Sequence, residues 1–118
     1  MSDSLIDINE LEKFTGELSK EDLSNFVALV EDKLSSRYQL LIEASQSEDW
    51  KVARDLAHSL KSSSMLIGAK KLSSNSELFE HLYDEGQLEK LANESEALLT
   101  LLAGVITEVK CLNKELNN

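Results

Sequence analysis

The sequence predicts an all-α fold: an antiparallel four-helix bundle with a short N-terminal helix capping one end. Three observations carry this. The 118 residues include no proline and only four glycines, none of them paired. Leu, Glu, Ser, Lys and Ala dominate, whereas the β-branched and aromatic residues that favour strands are scarce. Apolar residues recur three and four apart over long stretches with short breaks between them. A chain of this length suits one domain, and residues 1–118 are read as such.

The first helix is short, residues 7–15, with Ile8, Leu11 and Phe14 on one side and Gly16 as its stop. The second opens at Ser19, with Asp22 three residues on in an approximate capping box. It runs to about residue 46 with Leu23, Phe26, Val27, Val30, Leu34, Leu41 and Ala44 on one stripe. The third starts near Ser47 or Asp49 and ends near Gly68. Its stripe is Trp50, Ala53, Ala57, Leu60 and Ile67, with Leu56 beside it. The fourth covers residues 69–84, with Leu72, Leu78, Phe79 and Leu82 apolar, and Gly86 closes it. The fifth runs from about residue 87 nearly to the end. Leu91, Ser95, Leu98, Leu102, Val105, Val109, Leu112 and Leu116 form a seam suited to another long helix. Gly104 inside it costs about 1 kcal/mol relative to alanine, which close packing or a kink would explain. Short connections favour antiparallel neighbours and hence the bundle. The structural alternative is a coiled-coil homodimer built on the last helix.

Charge narrows the function. The net charge of −10 argues against nucleic acid as a partner, because phosphate backbones attract basic surfaces. Cys111 is the single cysteine, so no internal disulfide forms and a reducing compartment fits; it reads as a small buried apolar residue. The N-terminus lacks the features of a signal peptide, and no stretch has the length of a membrane span. A soluble, cytoplasmic protein is expected, and Met1 with polar ends favours a complete small protein. The charge is uneven. Residues 51–71 hold Lys51, Arg54, Lys61, Lys70 and Lys71 against Asp55 alone, so this window carries +4 and the rest −14. Such an island suits an anion or an acidic partner surface; chance clustering is the alternative.

His58 lies in that island. On a helical wheel it falls well outside the apolar stripe of its helix, so it should face solvent. Arg54, Asp55, Lys61 and Ser62 lie one turn away, and Lys51 and Met65 two turns away. A neutral imidazole is a good nucleophile, and flanking cations offset the charge of an arriving phosphoryl group. The plainer reading is a surface histidine. Met65 is either an apolar rim of the site or simply an exposed residue. His81, Asp84-Glu85 and Glu94-Ser95-Glu96 read as solvated surface. His58, His81 and Cys111 lack metal-ligand spacing, so no metal site is expected.

The segment Ala57-His58-Ser59-Leu60-Lys61, followed by Gly68-Ala69, Leu72 and Phe79-Glu80, resembles the signature of histidine phosphotransfer domains. The signature covers about 24 residues, and its fixed spacings make it specific. A looser resemblance covers nearly the whole chain, including Phe14-Thr15-Gly16 and Glu48-Asp49-Trp50. The resemblance implies that His58 is phosphorylated and that Lys61 lies beside the phosphoryl group. Glu80 matches a Gln/Glu position that holds the imidazole through its other ring nitrogen; an ordinary solvated carboxylate is the alternative. The sequence departs from the pattern at Ser62, where the family usually has glycine, and at Ser76, where it often has cysteine. The Lys61-Ser62-Ser63 variant is similar to small stand-alone proteins of bacterial quorum-sensing relays.

What this implies is a relay. A receiver domain of a sensor hybrid kinase would dock on a face of Lys51, Arg54, Asp55, Lys61, Ser62 and Met65 and pass its phosphoryl group to His58. The aspartate of a response regulator would then take it. No cofactor of its own is expected, the magnesium being held by the receiver partner. The chain has no glycine-rich nucleotide loop and so no kinase activity of its own. A monomer is expected, with no nucleic acid or membrane partner. The alternatives are a binding module that docks a receiver or kinase without transfer, and a structural helical dimer.

Overall fold

A computed structural model of the chain describes residues 4–117. The helices are α1 (Ile8–Thr15), α2 (Lys20–Gln46), α3 (Trp50–Leu66), α4 (Lys70–Asp84) and α5 (Leu91–Leu116), with a single 3-10 turn, Leu88–Lys90, leading into α5. The side chain of Phe14, expected on the apolar side of α1, lies outside the described residues, as does Met1.

Local chemistry sets the helix starts. Asp7, Ser19 and Asp49 each turn a side-chain oxygen onto a free backbone N–H of the first turn: Asn9 at 2.9 Å, Asp22 at 3.1 Å and Val52 at 3.3 Å. The Ser19–Asp22 contact realises the first half of the expected capping box. Antiparallel packing shows in the cross-helix bonds. Ser24 meets Asn117, Glu31 meets Asn113 and Ser45 meets Ser95, so α5 runs back along α2. Arg54 meets Asp84 and Lys61 meets Glu77, so α4 runs back along α3. From α2 onward each helix packs on the next, α5 closes the ring on α2, and α1 rests against α3. The bundle measures 45 × 25 × 23 Å.

The core contains Val27, Leu34, Leu41, Ala53, Ala57, Leu60, Leu72, Phe79, Leu98, Leu102 and Val105. Trp50 meets Phe79 edge-on at 6.4 Å between ring centres. The α5 seam from Leu91 to Val109 is buried inside the bundle. It is therefore spent on intramolecular packing.

Two sequence expectations fail on burial. Leu78 is exposed, because the buried row of α4 is Leu72, Ser73, Ser76, Phe79 and Leu82, and residue 78 lies off it. Serines hide that row from an apolar scan. They can be buried because their hydroxyls are satisfied: Ser76 donates to the Leu72 carbonyl at 2.7 Å and Ser73 to the Lys61 carbonyl at 3.2 Å. Cys111 is exposed rather than buried, since it falls off the α5 seam between Val109 and Leu112.

The segment before α1 is tied across one end of the bundle. Glu108 accepts hydrogen bonds from the Leu5 N–H at 2.7 Å and the Ser4 hydroxyl at 2.5 Å. Leu5 then lies over Gly104, where a Cβ would stand 2.5 Å from its Cδ1. The glycine inside α5 is thus explained by close packing, against the N-terminal segment. Gly68 serves the same end. Its φ is +68°, and a Cβ there would stand 2.7 Å from the Asp7 carbonyl oxygen. Among the described residues no helix is long and apolar enough to cross a membrane.

Candidate functional site

The site is built along α3 in two rows. Arg54, His58 and Lys61 face α4, whereas Asp55, Ser59, Ser62 and Leu66 turn toward α2 and solvent. Ala53, Ala57 and Leu60 anchor α3 from beneath with no exposure at all, so the rows stand on a fixed helix.

The His58 side chain is 66% exposed. Its Nδ1 lies 2.9 Å from Glu80 Oε1 on α4. A carboxylate only accepts, so Nδ1 carries the proton in this bond, and in the neutral ring Nε2 is left with its lone pair. No hydrogen bond among the described residues engages Nε2. Glu80 itself is largely covered, at 16%.

The structure redistributes the basic island. Arg54 makes a two-pronged contact with Asp84, Nε to Oδ1 at 3.2 Å and Nη2 to Oδ2 at 3.3 Å. Nη2 also meets Glu80 Oε1 at 3.3 Å, and Nη1 meets Asp55 at 3.4 Å. Asp84, which reads from sequence as solvated surface, is therefore a structural partner. The hydrogen bond to Asp84 is the main reason the Arg54 guanidinium is held above its usual pKa. Lys61 pairs with Glu77 at 3.3 Å and Lys51 with Asp55 at 3.3 Å. The bond from Lys51 holds the Asp55 carboxyl below the usual range. The window of +4 is thus largely matched by acids of its own and of α4. Among the described residues no ion pair involves Lys70 or Lys71.

Ser62 is exposed one turn beyond His58, and Met65 is exposed at 57%. The site residues expected from sequence therefore divide between the two rows of α3 and, for Glu80, α4, and the α2 side holds a residue that sequence reasoning missed. Arg37 of α2 donates from Nε to the Ser59 hydroxyl at 2.9 Å and from Nη1 to the Lys33 carbonyl at 3.4 Å. Among the described residues it makes no ion pair. Around it, Ser36, Leu40, Val52, Asp55, Leu56 and Ser59 line a shallow groove between α2 and α3. Arg37 is 21 residues before His58 on another helix, so no local spacing marks it.

His81 is surface as expected and pairs with Glu85. Among the described residues no group of three or more His, Cys, Asp or Glu is arranged to hold a metal ion.

A family model described as the Hpt domain matches residues 9–108. Among solved structures, the crystal structure of histidine-containing phosphotransfer protein B from Pseudomonas aeruginosa PAO1 superposes with a TM-score of 0.82. It covers 97% of this chain and 98% of its own, at 22% identity, a likeness of fold. A search of curated proteins gave no match.

Proposed function

This chain belongs to the Hpt domain family, and on that premise we propose that His58 is the residue that carries the phosphoryl group. The family places the protein in two-component phosphorelays as a histidine phosphotransfer component. The observation that supports His58 is the asymmetry of its ring: Nδ1 is held by Glu80, and Nε2 points outward without a partner among the described residues.

The transfer follows from that asymmetry. A receiver domain bearing a phosphoaspartate docks over α3. The Nε2 lone pair attacks phosphorus in line, the P–O bond to the aspartyl group breaks, and the aspartate carboxylate leaves with the electron pair. The ring keeps its Nδ1 proton and becomes cationic, and Glu80 faces that charge. Lys61, one turn away, lends positive charge near the phosphoryl oxygens. The reverse sequence delivers the group to the aspartate of a response regulator. The receiver supplies magnesium, and this chain supplies a nucleophile on a rigid helix.

Lys51, Asp55, Ser62 and Met65 form the partner's landing surface together with the ring. In this reading the protein is cytoplasmic and has no ATP-dependent kinase activity of its own, and it works as a monomer, the last supported by a long-helix seam already consumed within the bundle.

The test is to incubate the chain with a phosphoramidate donor or a phosphorylated receiver domain and map the acid-labile phosphate. Label on His58, lost in His58→Gln, is the expected result. Label on His81, or label that survives in His58→Gln, overturns the assignment.

A further inference from the structure

We propose that Arg54 is a positioning residue for the phosphotransfer reaction: it fixes the Glu80 carboxylate, and through it the tautomer of His58. This rests on the reading of His58 as the phosphorylated residue, and it gives the arginine a task different from contacting a partner.

The geometry is a chain of contacts across α3 and α4. Asp84 grips the guanidinium through two parallel bonds of 3.2 and 3.3 Å, which fix its plane. Nη2 has two N–H groups. One donates to Asp84, and the nitrogen also lies 3.3 Å from Glu80 Oε1 as an ion pair. That same oxygen takes the Nδ1–H of His58 at 2.9 Å. Arg54 and His58 are one turn apart on α3, and Glu80 and Asp84 are one turn apart on α4. Two i, i+4 pairs on antiparallel helices therefore interlock, and the carboxylate oxygen touching the imidazole is also paired with a cation. Arg54 is only 28% exposed and Glu80 less, so neither side chain is a free surface group.

The chemical consequence concerns which nitrogen attacks. A carboxylate at the end of a two-carbon stem can rotate away from the ring, and the ring proton is then free to move to Nε2. A ring protonated there has no lone pair at the outward nitrogen and cannot attack an incoming phosphorus. Holding Glu80 against Nδ1 keeps the productive form populated before the partner arrives. A lysine at position 54 reaches one acid with a point charge but cannot grip Asp84 with two parallel bonds.

The experiment reads the ring directly. In the ¹⁵N-labelled full chain, at a pH where the ring is neutral, two-bond ¹⁵N–¹H spectra should show His58 with its proton on Nδ1. In Arg54→Met the signal should move toward the Nε2–H form, with labelling by phosphoramidate slowed roughly tenfold. The receiver reaction should slow by the same factor at saturation, with its KM for receiver unchanged. Arg54→Lys, which keeps the charge and the stem, should fall between the two and guards against a folding defect in the methionine variant. An unchanged ring signature in both variants overturns the role of Arg54, as does a loss confined to the receiver KM, which marks a docking residue. Because the ring signature does not require phosphate, label found elsewhere in the unmodified chain overturns the assignment of His58 and is told apart from a failure of this inference.

Discussion

The two flanks of α3 are built differently. Toward α4, every charge is answered: Arg54 by Asp84 and Glu80, His58 by Glu80, Lys61 by Glu77. Toward α2, Arg37 bonds only a hydroxyl and a carbonyl, and Leu40, Val52 and Leu66 stand exposed. One flank ties its charges into pairs across α3 and α4, and the other leaves apolar side chains exposed beside an arginine that has no ion pair among the described residues. In phosphoryl transfer the first arrangement serves the atom that reacts and the second serves whatever comes to it. Substitutions on the two flanks should therefore separate chemistry from docking.

The largest effect belongs to the α4 flank. Glu80→Ala removes the acceptor at Nδ1 and the negative charge that faces the phosphorylated ring. Labelling should fall about 100-fold with a phosphoramidate and with a receiver alike, since a small misplacement of a reacting group can cost that much. Glu80→Gln keeps an acceptor oxygen and should lose less. Equal rates in Glu80→Ala and the parent chain would leave Glu80 a packing partner of Arg54 with no part in transfer.

The α2 flank should give the opposite pattern. Ser62 shares a row with Asp55, Ser59 and Leu66 and is exposed one turn above the ring. Ser62→Arg puts a long side chain where a partner surface must arrive, without touching Glu80. Transfer to and from a receiver should fall at least tenfold, whereas phosphoramidate labelling persists; stability should shift by under about 0.5 kcal/mol, as exposed changes usually do. A parallel loss in both reactions would place Ser62 on the ring rather than on the docking path.

The same contrast separates what the sequence reveals from what it conceals. The long helices, the Ala57–Leu60 anchor and the outward face of His58 follow from three- and four-residue spacing within one helix. What spacing cannot show is a contact between helices. The +4 window appears as an open basic island because Glu77, Glu80 and Asp84 lie far along the chain. Packing α4 antiparallel on α3 brings them opposite Lys61, His58 and Arg54. Leu78 and Cys111 are misplaced for a related reason. Residue type suggests burial for each, but the buried rows run through Ser73 and Ser76, and through Val109 and Leu112. Gly104 needed Leu5, almost a hundred residues earlier, for its explanation.

The smallest effect should come from Lys61, and its sign can be checked by its partner. Lys61 lies one turn from His58 with its Nζ 3.3 Å from Glu77, and both side chains are well exposed. An exposed pair of this kind contributes roughly 0–1 kcal/mol to stability, so breaking it should barely move the melting curve. Its effect on transfer comes from competition. To lend charge to the phosphoryl oxygens Nζ must leave Glu77, so part of its attraction is already spent. Lys61→Ala should slow phosphoramidate labelling only about threefold, a small electrostatic loss in high dielectric. Glu77→Ala frees the ammonium and removes a negative charge near the arriving phosphate, so it should raise the rate about twofold. The double variant should match Lys61→Ala, because the carboxylate acts mainly through the lysine. A rate gain from Glu77→Ala that persists without Lys61 would show the acid acting on the phosphate directly. An unchanged rate in Lys61→Ala would remove Lys61 from the site and leave the α4 flank to Glu80 and Arg54.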